Sequence, residues 1–156
     1  MSRRTATILA LTLAVVIAAV AAVGAGASSG SPTVKARTTS YGTILVDAKG
    51  HTLYLFEKDK RGKSSCAGAC ASNWPPLIAH GKPKAGGSAR QGKLGTTKRS
   101  DGRTQVTYAG HPLYTFVLDG GKPGSTKGEG VEAFGAEWYV VGTPGKAIEK
   151  KRSSGY

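Results

Sequence analysis

Short runs of β-prone residues, each ended by glycine, aspartate or proline, fill most of the chain beyond its apolar N-terminal segment. The first of these runs span residues 34–39, 43–46 and 52–56. In the third run Tyr54 and Phe56 alternate with Leu53 and Leu55, so a strand here carries apolar side chains on both faces. The pattern predicts a hairpin whose second strand is buried on both sides.

A second series of runs follows the same plan. Its predicted strands span residues 94–98, 103–108, 113–118 and 138–141. Tyr114, Phe116 and Leu118 share one face of the long strand, as Tyr54 and Phe56 do in the first series. Because a three-stranded unit of this size cannot bury an apolar face alone, we expect the two units to pack through their aromatic faces. The sequence therefore predicts a mainly β fold, in which two tandem antiparallel β-meander repeats pack with pseudo-two-fold symmetry into one small domain.

One phrase of the sequence occurs twice, at residues 50–59 and 110–119, with a fixed offset of sixty residues. The shared positions are Gly50, His51, Leu53, Tyr54, Phe56 and Asp59 in the first copy, and Gly110, His111, Leu113, Tyr114, Phe116 and Asp119 in the second. Similarity at a fixed period indicates a duplicated supersecondary unit. The repeat is evidence about architecture more than about activity.

The two copies differ after each phrase. In the first copy, residues 60–77 predict a loop or short helix that ends at Trp74-Pro75-Pro76, whereas in the second a glycine-rich stretch leads to Trp138. Because proline has no amide donor, we expect no central strand at Pro75 and Pro76, and a break in the symmetry there. The predicted organisation is a signal peptide at 1–27, a linker with a possible first strand at 28–40, repeat 1 at 41–80, a loop-like linker at 81–92, repeat 2 at 93–145 and a basic tail at 146–156.

The N-terminus has the order of features typical of an export signal. Arg3 and Arg4 precede an apolar run at residues 8–23, and the small residues Ala25-Gly26-Ala27 follow it. We expect a signal-peptide helix that is removed to leave a start near Ser28, and a protein located outside the cytoplasmic membrane. The alternative is an uncleaved anchor, because the apolar run approaches the length of about 20 residues that spans a bilayer.

The formal net charge is +13, from 22 lysines and arginines and nine acidic residues. In an exported protein the polyanions to be met are polymers of the cell envelope and the membrane surface, so these are the expected partners, together with an unidentified protein. Nucleic acid is not expected, because no recognition motif accompanies the charge. The simpler alternative is a well-solvated cationic surface without a partner.

The paired Tyr-x-Phe-x-x-Asp phrases, followed in the first copy by Cys66, Cys70 and Trp74-Pro75-Pro76, resemble the bacterial family of secreted repeats and predicted lipoproteins named for a Tyr-x-aromatic-x-x-Asp motif. The resemblance spans about residues 42–145. It implies export, an envelope or extracellular location and a tandem β-rich repeat, with no established molecular function. The chain lacks a cysteine at the end of its apolar run, so the lipid anchor of the lipoprotein members is not expected.

Cys66 and Cys70 are the only cysteines, and a disulfide between them is expected in an oxidising compartment. Their spacing does not match the Cys-x-x-Cys-His motif of covalent haem, and we expect no cofactor. The alternative is a metal-binding or redox accessory protein, with His80 as a weak candidate for a third ligand beside the two sulfurs.

Several other residues are candidate binding sites. His51 and His111 are equivalent ligands or bases in a functional interpretation, and residues that begin strands in a structural one. Trp74 and Trp138 adjoin irregular segments, where recognition residues are common. Asp59 and Asp119 are expected to cap the segments that follow them. No catalytic motif occurs, so the sequence favours a non-catalytic binding or structural module of the cell envelope over an enzyme.

Overall fold

The computed structural model describes residues 30–60 and 62–149. The predicted signal peptide, and residues 150–156 of the predicted basic tail, lie outside this part of the chain. Within it the fold is mainly β, as predicted, and consists of three small sheets. None of the helices in the described ranges has the length and apolar character needed to cross a membrane.

The strands follow one another along the whole described chain. They are β1 (Thr33–Thr39), β2 (Gly42–Val46), β3 (Tyr54–Phe56), β4 (Lys84–Gly86), β5 (Leu94–Lys98), β6 (Thr104–Tyr108), β7 (His111–Pro112), β8 (Val131–Ala133) and β9 (Ala136–Val140). One short helix, α1 (Ala69–Asn73), lies in the loop after the first repeated phrase, and 3-10 turns occupy Gln91–Lys93 and Val117–Asp119.

One of the three sheets combines strands from both repeats. The first sheet has the order β2-β1-β4, the second β3-β9-β8 and the third β5-β6-β7. Only the third is a meander of consecutive strands, so the prediction of two self-contained meanders is wrong for the first repeat. The physical reason is the two-sided burial of β3. Its apolar side chains point alternately into two separate core clusters, and this requires partners from the second repeat on both sides.

The closing segment of each repeat lies between strands of the other. The Leu77 amide donates to Leu113 at 2.9 Å, and the Leu77 carbonyl accepts from Val106 at 2.8 Å. Val141 makes the corresponding pair of bonds, to the Leu53 carbonyl at 3.1 Å and from the Leu45 amide at 2.8 Å. Corresponding residues of the two repeats therefore make corresponding contacts, and the two repeats are held together by exchanged segments.

None of the described strands includes Pro75 or Pro76, as expected, whereas the closing segment of the second repeat forms β9. The break in symmetry is limited to this loss of a strand, because the backbone hydrogen bonds of the two closing segments still correspond. The Pro75 carbonyl accepts a hydrogen bond from the Thr115 amide at 2.9 Å, and Pro76 lies opposite Tyr114 in an isolated bridge. The segment uses its carbonyl groups here, which proline retains, and Leu77 supplies the amide.

Two other local predictions are also corrected. The predicted strand 113–118 is not continuous, because Val117–Asp119 is a 3-10 turn that ends at Gly120 with a left-handed φ of 61°. Leu118 is consequently exposed rather than aligned with the buried aromatic residues. Within the predicted linker, β4 pairs in parallel with β1.

Candidate functional site

The aromatic residues of both repeated phrases meet in the centre of the molecule. Four rings lie nearly parallel in the order Phe56, Trp138, Trp74, Phe116, with successive centroid distances of 4.0, 4.0 and 3.9 Å. We call this arrangement the aromatic stack. Since Trp138 and Trp74 close the second and the first repeat respectively, each tryptophan stacks on the phenylalanine of the other repeat. Large aromatic side chains in contact contribute strongly to burial and orientation, so the stack joins the repeats.

The two motif tyrosines pack edge-on against the stack. Tyr54 meets Trp74 at a centroid distance of 5.3 Å, and Tyr114 meets Trp138 at 5.1 Å, both in T-shaped geometry. Both tyrosines are fully buried. The edge-to-face arrangement places each hydroxyl beyond the stack, where it reaches the opposite repeat.

Each tyrosine donates a hydrogen bond to the aspartate of the other repeat. The Tyr54 hydroxyl donates to Asp119 Oδ2 at 2.7 Å, and the Tyr114 hydroxyl donates to Asp59 Oδ2 at 2.6 Å. The Tyr-x-Phe-x-x-Asp motif is thus a reciprocal device. Its tyrosine and aspartate do not bond to each other within one copy, and both copies are needed for either bond.

The aspartates also organise the loops that follow them. Asp59 Oδ1 accepts from the amide and the hydroxyl of Ser65, at 2.7 and 2.9 Å. Asp119 Oδ1 accepts from the Ser125 hydroxyl at 2.8 Å and the Lys127 amide at 2.9 Å. Each carboxylate therefore fixes its own loop with one oxygen and the opposite repeat with the other.

The electrostatics of these pairs reflect burial. Desolvation raises the pKa of Asp59 above its usual value, although hydrogen bonds from Ser65 and Tyr114 act in the opposite direction. Desolvation, reinforced by the neighbouring carboxylate, also raises the pKa of both Tyr54 and Tyr114 well above the usual value for tyrosine. Both phenols are therefore protonated donors at neutral pH.

A buried arginine extends the first of these networks. The Arg99 guanidinium donates to Ser64 Oγ at 2.8 Å, to Gln105 Oε1 at 2.6 Å and to the Cys66 carbonyl at 2.6 Å. Because the single proton of the Tyr114 hydroxyl is directed to Asp59, the Ser64 hydroxyl in turn donates to the Tyr114 hydroxyl oxygen, at 2.8 Å. Sequence reasoning missed Arg99, because it follows a strand and precedes a turn, where arginine is ordinarily solvated, and no local pattern marks it as buried.

The cysteines form a disulfide, as expected, and both are buried. The bond lies in the loop after the first repeated phrase and joins the segment before α1 to the helix itself. With both sulfurs in this bond, they cannot serve as thiolate ligands, and His80 is exposed. Among the described residues, no group of three or more His, Cys, Asp or Glu side chains is placed to hold a metal ion.

The repeat histidines occupy unequal environments. His51 Nδ1 lies 2.9 Å from Asp47 Oδ2, and Asp47 Oδ1 accepts from the His51 amide at the same distance. His51 also borders a cavity of about 270 Å³ whose other walls include Thr115, Phe116 and Asp119. His111 is half-buried at the start of β7, where the shorter Ala109-Gly110 turn offers no aspartate. The two histidines are therefore equivalent in the repeated phrase but not in their surroundings.

Trp74 and Trp138, the candidate binding residues, are 1% and 0% exposed, so they lie in the core and not at the surface. Both indoles are enclosed by the aromatic stack and present no face to solvent. The structure thus gathers the motif tyrosines, phenylalanines, aspartates and tryptophans in one core. The disulfide belongs to the same core, while His80 lies apart on the surface.

Basic side chains cover the surface instead. Fourteen lysines and arginines are exposed in the described ranges; they are Lys35, Arg37, Lys49, Lys58, Lys60, Lys63, Lys82, Lys84, Arg90, Lys98, Arg103, Lys122, Lys127 and Lys146. Six of the nine carboxylates accept hydrogen bonds from the protein itself; they are Asp47, Asp59, Asp101, Asp119, Glu129 and Glu137. Among the described lysines and arginines, only Arg99 and Arg103 form an ion pair within 4.0 Å, and both pair with the carboxylate of Asp101.

Comparison with known proteins identifies one family. The sequence model of a family described as a secreted repeat of unknown function matches residues 35–78 and again residues 95–142. The two matches begin in β1 and β5 and end just beyond the closing segments that the repeats exchange. No curated protein and no solved structure matches the chain.

Proposed function

Because the chain belongs to the family of secreted repeats of unknown function, we propose that it is an exported, non-catalytic module of the cell envelope whose basic surface binds an anionic envelope polymer. The observation that carries this proposal is the division of charge between interior and surface. Six of the nine carboxylates accept hydrogen bonds within the fold, and most of the lysines and arginines are left exposed without a carboxylate partner in the described ranges.

This division has a direct electrostatic consequence. Of the carboxylates, Asp59 and Asp119 hold the repeats together, and Asp47 and Asp101 fix turns. A positive potential therefore extends from the surface and attracts polyanions over about one Debye length, roughly 8 Å at physiological ionic strength. Binding through such a surface falls steeply as the salt concentration rises.

The core chemistry supports a binding role over catalysis. The carboxylates of the half-buried Asp59 and the buried Asp119 accept hydrogen bonds from fixed donors of the protein, and the buried tyrosines are protonated donors to those same carboxylates. These groups stabilise the fold. A general base, in contrast, needs an accessible position beside a substrate.

The test is co-sedimentation of the protein with isolated cell walls and, separately, with vesicles that contain phosphatidylglycerol. We expect retention on the walls at low salt, release at high salt, and weaker retention on the vesicles. Equal retention on vesicles and walls identifies the membrane surface as the ligand instead. No retention on either at low salt contradicts the proposal.

Matched variants separate charge from other effects. A triple variant with Lys49→Glu, Lys122→Glu and Lys127→Glu is expected to reduce retention, because all three side chains are exposed. The control carries Arg at the same three positions and so keeps the charge. If both triple variants bind alike, the positive charge at these positions does not contribute to binding.

A further inference from the structure

The two repeats differ at one edge of their sheets. In the first sheet β1 lies in the middle, with β2 on one side and β4 on the other. In the third sheet β5, the strand that corresponds to β1, pairs with β6 on one side, and no described strand pairs with its other side. Among the described strands, the edge that β4 covers in the first repeat is therefore open in the second.

The hydrogen-bond pattern shows which groups this open edge presents. Thr96 lies opposite Val106 in the β5–β6 pair. Val106 donates to Leu77 and accepts from Leu113, so its backbone groups point away from β5. In an antiparallel ladder, when the backbone groups of one residue point away from the partner strand, those of the residue opposite it point away as well. Thr96 therefore directs its amide and carbonyl outward from the sheet, and Lys98, two residues on, has the same orientation.

The first repeat shows what such an edge accepts. There β4, a three-residue extended segment of sequence Lys-Ala-Gly, lies parallel to β1 in register Thr33–Lys84, Val34–Ala85 and Lys35–Gly86. The chain after repeat 2 takes another course, since Ile148 donates to Val140 at 2.8 Å and Lys146 accepts from Gly142 at 2.9 Å. The described part of the C-terminal segment folds back on β9 and leaves β5 uncovered.

A groove accompanies the open edge. It encloses about 440 Å³, and its walls include Leu94, Gly95 and Thr96 of β5 together with Lys82, Gln91 and Thr104. An added strand would place alternate side chains towards this groove, because side chains alternate across a strand. The groove thus offers a place for side chains of a segment that pairs with Thr96.

The charges around the edge determine the kind of segment that fits. Lys82, Arg90 and Lys98 are exposed beside the groove or the strand, and none of them pairs with a carboxylate in the described ranges. The nearest acidic residue in sequence, Asp101, is occupied by Arg99 and Arg103. The local field therefore favours an acidic segment, and it disfavours a second copy of this basic chain.

The geometry points to a protein-binding site at which an extended acidic segment of a partner protein adds as a strand to the outer edge of β5. The backbone of Thr96 supplies the central hydrogen bonds, and Lys82 and Lys98 select acidic side chains. This mode of recognition takes affinity from main-chain hydrogen bonds and specificity from the neighbouring side chains. The site is independent of the general polyanion binding proposed above.

The experiment follows backbone amide exchange by NMR while a short blocked peptide of alternating Glu and Val is added to the protein. We expect the Thr96 amide to become protected and its signal to shift. A peptide of alternating Lys and Val is the charge control and should leave both unchanged. Peptide binding without protection of Thr96 overturns the proposal. Protection that appears without peptide as the protein concentration rises identifies a second copy as the occupant and overturns it as well.

The Thr96→Pro variant removes the outward amide without removing a bond to β6. It should weaken peptide binding about tenfold, the equivalent of one backbone hydrogen bond. Ala36→Pro is the matched control, because Ala36 occupies the corresponding position on β1. Ala36→Pro should leave peptide affinity unchanged. Unaltered peptide affinity in Thr96→Pro overturns the proposal. The same variant should still be retained on cell walls, so that a failure of this proposal is distinguishable from a failure of the proposed function.

Near-ultraviolet circular dichroism of the aromatic stack shows whether Thr96→Pro folds. If it does not fold, a charge variant tests the proposal instead. Lys82→Glu combined with Lys98→Glu should weaken peptide binding at least tenfold. Lys60→Glu combined with Lys146→Glu adds the same charge at exposed positions outside the groove lining and is expected to have little effect. Equal losses in both double variants show that the peptide responds to overall charge, and this result contradicts a site at β5.

Discussion

Tyr54 and Tyr114 exchange two backbone hydrogen bonds, from the Tyr54 amide to the Tyr114 carbonyl at 2.8 Å and from the Tyr114 amide to the Tyr54 carbonyl at 3.0 Å. The two equivalent residues therefore face each other directly at the junction of the repeats. Their side chains then diverge to opposite aspartates, Asp119 and Asp59. When two copies of a unit are related by a two-fold axis, a residue at the axis pairs with its own equivalent, as Tyr54 and Tyr114 do. Because each tyrosine also bonds to the aspartate of the other copy, both copies carry the motif.

Removal of either tyrosine hydroxyl tests this junction. Tyr54→Phe and Tyr114→Phe should each lower the free energy of unfolding by about 1–3 kcal/mol, because the buried Asp119 or the half-buried Asp59 loses a donor while the ring packing is kept. The measurement is chemical denaturation. Tyr139→Phe is the control, since Tyr139 bonds to Glu137 near the surface, and a change within about 0.5 kcal/mol is expected.

The two losses should not be additive. Both tyrosines belong to one backbone pair and one aromatic core, and neighbouring sites usually couple by about 0.5–3 kcal/mol. The double variant Tyr54→Phe with Tyr114→Phe completes the cycle. A sum equal to the single effects within error would mean that the two reciprocal bonds act independently, contrary to this expectation.

Alkaline pH should destabilise the protein through the same tyrosines. Burial raises the pKa of Tyr54 and Tyr114 above the value of about 10 that tyrosine has in the unfolded chain. The folded state therefore holds these protons more tightly, and its stability is full below pH of about 10 and falls as the pH rises above it. Denaturation at a series of pH values checks this, and the decline should be shallower in Tyr54→Phe. An unchanged slope would assign the decline to other groups.

The sequence predicts the burial of the motif residues but not their partners. Alternation of Leu53, Tyr54, Leu55 and Phe56 in one strand indicates two buried faces, and the structure confirms both. Whether Tyr54 would bond to Asp59 or to Asp119 has no signal in one sequence, because both aspartates have the same local pattern and the choice depends on contacts across 65 residues.

The sequence does not predict the exchange of closing segments, for a related reason. Pro75 and Pro76 indicate a chain that cannot donate at those positions, and this property holds equally for a loop and for a segment that uses only its carbonyl groups. Arg99 likewise belongs to a turn sequence, and its burial depends on acceptors at Ser64 and Cys66 that lie 35 and 33 residues away. Local sequence patterns do not predict such long-range contacts.

Gly128 tests how tightly the aromatic stack is enclosed. A Cβ at this position would lie 2.8 Å from both Trp74 Cη2 and Tyr54 Cε1. Gly128→Ala should therefore displace rings of the core and cost about 1–3 kcal/mol, with a loss of near-ultraviolet circular dichroism from the tryptophans. Gly92→Ala is the control, because nothing lies within 4 Å of its added Cβ. Comparable stability of the two variants would show that the core yields to the methyl group.

The disulfide should matter less to overall stability than the contacts between the repeats. Cys66 and Cys70 are four residues apart, and closure of so small a loop stabilises a folded chain by roughly 2 kcal/mol in the chain-entropy treatment. The double variant Cys66→Ala with Cys70→Ala should remain folded, with the near-ultraviolet spectrum of the aromatic stack retained, and should unfold at a lower denaturant concentration. The Cys66 carbonyl, which accepts from Arg99 at 2.6 Å, is a backbone group that this substitution keeps. Complete unfolding of the double variant would therefore show that the bond holds Arg99 and its network in place, and that the loop is part of the folding core.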